Sequence, residues 1–363
     1  MIAKDPEPNS LRYTPMKYSG SLDHLSYVEV TPIIGREYST AKITDILHAP
    51  NAEEQLRDLA VIVSERGVVF FRENQDDLSV DDLKRFTDLV AKLSGRPEEN
   101  GLHVHPLYRD PGNIPMGNGE TDENIYVINS EAAKKLYKTM KGRESTVGKS
   151  LEREWHSDGT FEVCPSDFSC LLMEETPSHG GDTLWCSGYE IYDRISPPMR
   201  SFLDTLTATC AQPVFKSACT AGNYAVMSPR GSPLNVGDTF APSHPVVRTN
   251  RQTGWKSIFA GAGLHVSRIN DVYDYEDNMI REYIMRLITH NHDCVARMHW
   301  TKGAAAIWNN SCVWHAATPD THLVPGAIRT GIRASSIGEQ PFLDPASKSR
   351  REALGTVDLR PAI

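Results

Sequence analysis

The chain is predicted to fold as mainly β with flanking helices, an α+β arrangement around a double-stranded β-helix, or jelly roll. Three observations predict this. Most of the 363 residues alternate short apolar runs with Gly, Pro and Asn turns, the pattern of short strands in two packed sheets. Only a few segments carry helical apolar spacing. No internal repeat or long low-complexity tract points to a solenoid or a fibre.

In chain order, the first twenty residues are Pro-rich and polar, and are expected to lie loose or drape over a neighbour. Residues 52–66 place Leu56, Leu59, Ala60 and Val63 at helical spacing, with Gly67 positioned to end the helix. Residues 68–71 read as a buried strand. Ser79 followed by Asp82 caps a second helix that runs to about residue 93. Residues 119–150, rich in charge, are expected to be an insertion or lid, because structureless loops of that length are usually functional. Residues 196–203 and 273–289 read as further helices, and residues 328–335 as a strand after the turn residues Pro319, Pro325 and Gly326. The expected organisation is a loose segment at 1–20, one domain over 21–345 and a tail at 346–363.

The formal charge of −9 argues against nonspecific nucleic-acid binding, which needs a basic surface. No run of eighteen apolar residues offers a membrane span, and the N-terminus lacks a signal-peptide core, so a cytoplasmic enzyme is expected. Seven cysteines form no C-x-x-C pair and are odd in number, the usage of reduced, buried thiols.

The chemistry is carried by Trp155-His156-Ser157-Asp158 and the distant Trp314-His315. On an extended strand His156 and Asp158 share a face. A second imidazole from elsewhere completes two histidines and one carboxylate on one side of a metal, the set associated with non-haem Fe(II) oxygenases. Alone, His-x-Asp is also an ordinary polar turn. Arg329 and Arg333, fourteen and eighteen residues beyond His315, make the set more specific. An arginine on the returning strand can grip a carboxylate through two parallel N–H bonds. A 2-oxo dicarboxylic acid, the two-electron donor such a site requires, has a carboxylate to offer it.

These residues sit among other blocks: Gly67-Val-Val-Phe-Phe-Arg72, Leu102-His-Val-His-Pro-Leu-Tyr108, Gly180-Gly-Asp-Thr-Leu-Trp185, His244-Pro-Val-Val-Arg-Thr249, Ala306-Ile-Trp-Asn-Asn310 and Gly338-Glu-Gln-Pro-Phe342. With them the chain resembles a fungal-type member of the taurine dioxygenase (TauD/TfdA) family of Fe(II)/2-oxoglutarate oxygenases, from about residue 25 to about residue 345. The resemblance implies Fe(II) as cofactor, with 2-oxoglutarate and O2 as cosubstrates. It implies His156, Asp158 and His315 as iron ligands. Thr183 and Arg329 are implied as 2-oxoglutarate contacts, although the turn before them is longer than in the taurine enzyme and leaves Arg333 open for that role. A homo-oligomer, dimer or tetramer, is implied by the resemblance alone.

For the substrate, the resemblance implies His105, Tyr108 and Arg333 around an acidic group, with Phe215 and Phe259 as an apolar wall; plain core packing is the other reading of both rings. His103 is read as structural, and His265 as one of several histidines without a partner pattern. Glu152 stands where the taurine enzyme has Asn, and a carboxylate there would suit an ammonium group. The expected reaction is oxidation of an unactivated C–H bond in a small zwitterionic or acidic molecule, such as an amino acid or amino-sulfonate, by hydroxylation, desaturation or ring closure. A taurine or alkyl-sulfonate dioxygenase releasing sulfite is the alternative, and a non-catalytic cupin-like metal-binding protein the remote one.

Overall fold

A computed structural model describes residues 11–108, 121–129 and 154–356. Strands in chain order are β1 (Tyr27–Glu29), β2 (Arg36–Tyr38), β3 (Val68–Phe71), β4 (Ile125–Asn129), β5 (Ser166–Glu175), β6 (Thr183–Ser187), β7 (Thr207–Cys210) and β8 (Ser243–Pro245). They continue with β9 (Val247–Thr249), β10 (Lys256–Ile258), β11 (Val266–Ile269), β12 (Val295–Met298), β13 (Ala305–Asn309), β14 (Val313–Ala317) and β15 (Thr330–Ile337). The fold is mixed α+β. Its largest sheet has seven strands in the order β1-β2-β3-β13-β5-β15-β4, and a smaller sheet has the order β12-β6-β14.

Period-two patterning decides which side chains lie between these sheets. On β3, β5 and β13, Val69, Phe71, Cys170, Leu172, Ala305 and Ile307 pack with helices α1 (Ile43–Leu47), α2 (Ala52–Arg66) and α3 (Val80–Leu93). Their neighbours Phe70, Leu171, Met173, Ala306 and Trp308 turn the other way and meet Trp185, Ala296, Met298 and Val313 of the smaller sheet. The Phe70 and Trp185 rings are 5.3 Å apart and those of Trp185 and Trp308 5.7 Å, so the sheets pack face to face. Beyond the smaller sheet, Cys186, Trp314 and Ala316 pack against Ile280, Ile284 and Ile288 of a long helix, Asp274–His290.

The local signals act as their chemistry requires. Gly67 ends α2 at φ 77°, and a Cβ there would lie 2.6 Å from Val313 Cγ1. The Ser79 hydroxyl accepts the Asp82 N–H at the start of α3. All seven cysteines are buried. No helix among the described residues is long and apolar enough to cross a membrane.

Three segments carry contacts or elements that the sequence reading did not anticipate. Residues 12–19 are pinned: Arg12 N donates to the Asp344 carboxylate (2.5 Å), Met16 N to Gln252 O (2.8 Å), and Ser19 to Asp58. Prolines and polar residues there serve an extended strap whose partners are distant in sequence. Ile125–Asn129, inside the segment expected as an insertion, is an edge strand paired with β15. Residues 1–10, 109–120, 130–153 and 357–363 lie outside the described residues, as does most of the expected lid. In the expected tail, Ser349 caps a short helix, Arg350–Leu354, and Arg351 pairs with Glu190.

Candidate functional site

Alternation brings the functional side chains between the sheets. Trp314 and Ala316 face the outer core, so His315 faces inward. On β6, Thr183 and Trp185 share the inward face, and Trp185 lies opposite His315 in register. Thr183 is therefore about 7 Å along the strand from that row. On β15, Ile332 and Ala334 pack toward the helices, which turns Arg333 inward.

His156 meets His315 through an antiparallel bridge, with His156 N donating to His315 O (3.0 Å) and His315 N to His156 O (2.8 Å). The expected extended strand through Asp158 is only this bridge; a turn begins at Asp158, and Gly159 takes φ 70° in it. The turn still delivers the carboxylate. Asp158 Oδ1 lies 3.8 Å from His156 Nε2 and 3.7 Å from His315 Nε2, and one ligand atom from each residue lies within 4.8 Å of the other two.

The donor set fits a divalent transition metal. His156 Nδ1 is 2.7 Å from the Glu154 carbonyl, which can only accept, so Nδ1 is the donor there and Nε2 is the nitrogen turned toward Asp158. Burial, then the His156 ring, push His315 well below the ordinary histidine value, which keeps it neutral. Burial raises the Asp158 carboxyl, but Arg333, His315 and His156 outweigh it and leave the group below the usual carboxylate range. Two imidazoles and one carboxylate on one side of a space suit Fe(II).

Two arginines flank this cluster. Arg329, 7 % exposed, donates through Nε to Gly181 O (2.9 Å) and through Nη2 to Thr183 Oγ1 (3.2 Å), while Trp300 Nε1 donates to the same hydroxyl (2.9 Å). Burial brings Arg329 down to about 10, partly offset by Asp182, so it remains a cation at neutral pH. Arg333, four residues along, donates through Nη1 to Asp158 Oδ1 (2.8 Å) and covers the Tyr126 ring at 5.3 Å.

The expected substrate residues are partly assembled. The His105 ring stacks on Tyr126 (4.7 Å) and meets Phe215 edge-on (5.2 Å). Tyr108 follows in the same turn, its N–H donating to His105 O (3.0 Å). Phe259 is not brought to this group. It is 2 % exposed, and its described ring contacts are His244 (5.9 Å) and Arg248 (4.8 Å). Glu152 lies outside the described residues.

Several site neighbours carried no sequence signal. His265 meets His156 at 5.7 Å and Phe161 at 5.0 Å, with Nδ1 2.8 Å from Thr160 Oγ1. His103 lies edge-on to His105 (6.3 Å) and is pushed down to about 3, first by burial and then by Arg333. The Ser169 hydroxyl donates to Asp158 Oδ2 (2.9 Å) and receives Asn310 Nδ2 (2.9 Å). Alternation within an apolar strand could have flagged Ser169 as inward-facing; nothing local marks His265.

Comparison with known proteins agrees with this geometry. The chain is 42% identical over 342 residues to the alpha-ketoglutarate-dependent dioxygenase oryG of Aspergillus oryzae, covering 94% of this chain and 96% of that protein. It is 41% identical over 352 residues to the alpha-ketoglutarate-dependent dioxygenase btcD of Neocamarosporium betae, covering 93% and 98%. Among solved structures, a taurine dioxygenase from Burkholderia xenovorans has a TM-score of 0.64 at 20% identity, covering 89% of this chain and 94% of that one. Residues 26–334 match the family described as taurine catabolism dioxygenase TauD, TfdA. The chain belongs to the TauD, TfdA family.

Proposed function

We propose that this chain is a non-haem Fe(II)- and 2-oxoglutarate-dependent dioxygenase that oxidises an unactivated C–H bond of a small zwitterionic or acidic molecule. The observation that carries this reading is the inward-facing His156–Asp158–His315 cluster flanked by a buried Arg329–Thr183 pair and by Arg333. His156, Asp158 and His315 would hold the iron. Arg329, with the Thr183 hydroxyl, would hold the far carboxylate of 2-oxoglutarate. Arg333, His105 and Tyr108 would bind the acidic group of the substrate, with Phe215 against its carbon skeleton. When bound, Fe(II) with 2-oxoglutarate and O2 supplies the oxidising power, with succinate and CO2 as co-products. The protein orients the reacting bond and excludes water.

The same reading takes the two face-to-face sheets as a jelly roll within one domain over residues 21–345, in a cytoplasmic homo-oligomer. Glu152 would meet an ammonium group; unchanged affinity for an amino-acid substrate in Glu152→Gln would remove that role. The relatives named alpha-ketoglutarate-dependent dioxygenases support the reaction class. The family description supports a second reading, a sulfonate dioxygenase that releases sulfite.

The test is 2-oxoglutarate consumption and succinate release by anaerobically iron-loaded protein exposed to O2, across amino acids, taurine and alkyl-sulfonates, with sulfite assayed in parallel. Turnover stimulated by an amino acid without sulfite supports the first reading, and sulfite release the second. No turnover with any compound, and His156→Ala indistinguishable from wild type, would overturn both.

A further inference from the structure

Residues 214–240 cover the substrate side of the site yet are thinly packed. They begin with a helix, Val214–Gly222, in which only Cys219 is buried, and a groove of about 320 Å³ runs between that helix and residues 224–238. The surface ion pair Lys216–Asp238 (2.8 Å) has both partners more than half exposed and adds little. Even so, Phe215 on this helix meets His105 at 5.2 Å and Phe161 at 5.0 Å.

One buried side chain gathers the segment. Arg230 is 1% exposed and grips Glu162, 2% exposed, in a two-pronged pair, Nε to Oε1 (2.5 Å) and Nη2 to Oε2 (2.8 Å). Its Nη1 donates to Met227 O (2.7 Å) and Gly237 O (2.9 Å), closing residues 227–237 into a loop, and the guanidinium lies 4.7 Å over the Phe240 ring. Glu162 lies four residues after Asp158, in the turn that delivers the metal-binding carboxylate. A parallel tie runs from Asn235 to the Cys164 main chain, with Oδ1 accepting N–H (2.9 Å) and Nδ2 donating to the carbonyl (2.8 Å). Met227 N donates to Pro106 O (3.1 Å), next to His105. The loop thus joins the metal turn to the His105 turn.

We propose that the Glu162–Arg230 pair is a positioning clamp that seats residues 214–240 over the substrate side of the His156–Asp158–His315 cluster and sets Phe215 against His105. This rests on the reading of His105 and Arg333 as the substrate side. A fully buried pair is a poor device for stability alone, because desolvation opposes the attraction and apolar replacement is often neutral. What Arg230 adds is geometry: one planar group fixes a carboxylate and two carbonyls at once.

The experiment compares wild type, Glu162→Gln and the double variant Glu162→Leu/Arg230→Met. The double variant removes both charges and so stays folded even where a lone buried charge would not be tolerated. Hydrogen exchange by peptide, thermal midpoint, and anaerobic Fe(II)·2-oxoglutarate binding by visible absorption are read on each. In the double variant the midpoint is expected to stay near wild type and Fe(II)·2-oxoglutarate binding to stay within about twofold, while exchange in 214–240 accelerates about tenfold. With any compound that stimulates 2-oxoglutarate consumption, its KM should rise more than kcat falls. Wild-type exchange rates in 214–240, or equal acceleration in the β5 and β13 peptides, would overturn the clamp. A wild-type protein that binds neither Fe(II) nor 2-oxoglutarate would overturn the proposed function, and the exchange data would still judge the clamp.

Discussion

Arg329 and Thr183 are 146 residues apart in sequence, yet Nη2 of one lies 3.2 Å from the hydroxyl of the other, with Thr183 opening β6 and Arg329 just ahead of β15. The hydroxyl also receives Trp300 Nε1, so both of its lone pairs face donors and its own proton is free to point elsewhere. A buried cation beside an oriented hydroxyl is suited to receive one end of a dicarboxylate.

Arg329→Gln should therefore raise the KM for 2-oxoglutarate by about 10- to 100-fold, the loss of one or two hydrogen bonds to a charged group. Thr183→Ala should raise it less. Arg333→Gln should leave the 2-oxoglutarate KM near wild type and weaken the response to the primary substrate. The reverse pattern in steady-state kinetics would exchange the roles of the two arginines, an ambiguity the long turn after His315 leaves in the sequence.

Metal removal gives a second prediction. Iron or manganese binding to the folded protein alone should stabilise it by about 2.7 kcal/mol at a hundredfold excess over Kd. Anaerobic calorimetry should show the rise in thermal midpoint with wild type and its loss after chelation. His156→Ala should be insensitive to added metal while retaining the apo midpoint. A metal response in that variant equal to wild type would place the ion elsewhere.

What was legible in the chain follows from the range of the interactions. Helix stops such as Gly67, caps such as Ser79 and the apolar run at 68–71 are local rules, and they read through to the structure. The His156–Asp158–His315 cluster was legible because His-x-Asp is a local spacing and Trp-His repeats at the distant partner. Tyr126 was not, because its strand is an edge inserted between charged segments, and charge density alone reads as loop. Neither was the Glu162–Arg230 pair, 68 residues apart, since neither residue belongs to a periodic pattern. Phe259 is the opposite case: a resemblance implies a place in the wall, while its described ring contacts are with His244 and Arg248.

The strap at residues 12–21 gives a pH prediction. Asp58 is fully buried on α2 and accepts the N–H and hydroxyl of both Ser19 and Ser21 at 2.8–3.1 Å. Burial alone would raise its carboxyl, but those donors outweigh burial and leave it below its ordinary value. A depressed folded value means the unfolded chain takes up the proton first as pH falls. The contribution is therefore complete above the unfolded value of about 3.9 and is lost as pH falls through the folded one. Asp58→Ala should lower stability near neutral pH by about 3 kcal/mol, since several donors lose their acceptor. The difference between wild type and Asp58→Asn, followed by urea unfolding, should shrink below pH about 4. A difference independent of pH would remove the carboxylate from the account.

Ser169 tests whether support of the proposed metal-binding carboxylate, Asp158, can be separated from stability. Its hydroxyl donates to Asp158 Oδ2 and receives Asn310 Nδ2, while Asn310 Oδ1 accepts both Asp158 N (3.1 Å) and Trp308 Nε1 (2.9 Å). The carboxylate is thus aimed by a chain of polar groups that also reaches Ser335, whose hydroxyl lies 2.8 Å from that of Ser169. Ser169→Ala also takes the acceptor from the buried Asn310 Nδ2, so it should cost about 1–3 kcal/mol of stability, read separately from metal affinity. Groups that orient a metal ligand are commonly worth about 10- to 100-fold in metal affinity. Titration with Mn(II) or anaerobic Fe(II) should show a loss in that range, with Ser169→Thr, which keeps the hydroxyl, recovering part of it. If Ser169→Ala bound metal as wild type does, Asp158 would be held by Arg333 and its own turn, and the hydroxyl chain would serve only to satisfy buried polar groups.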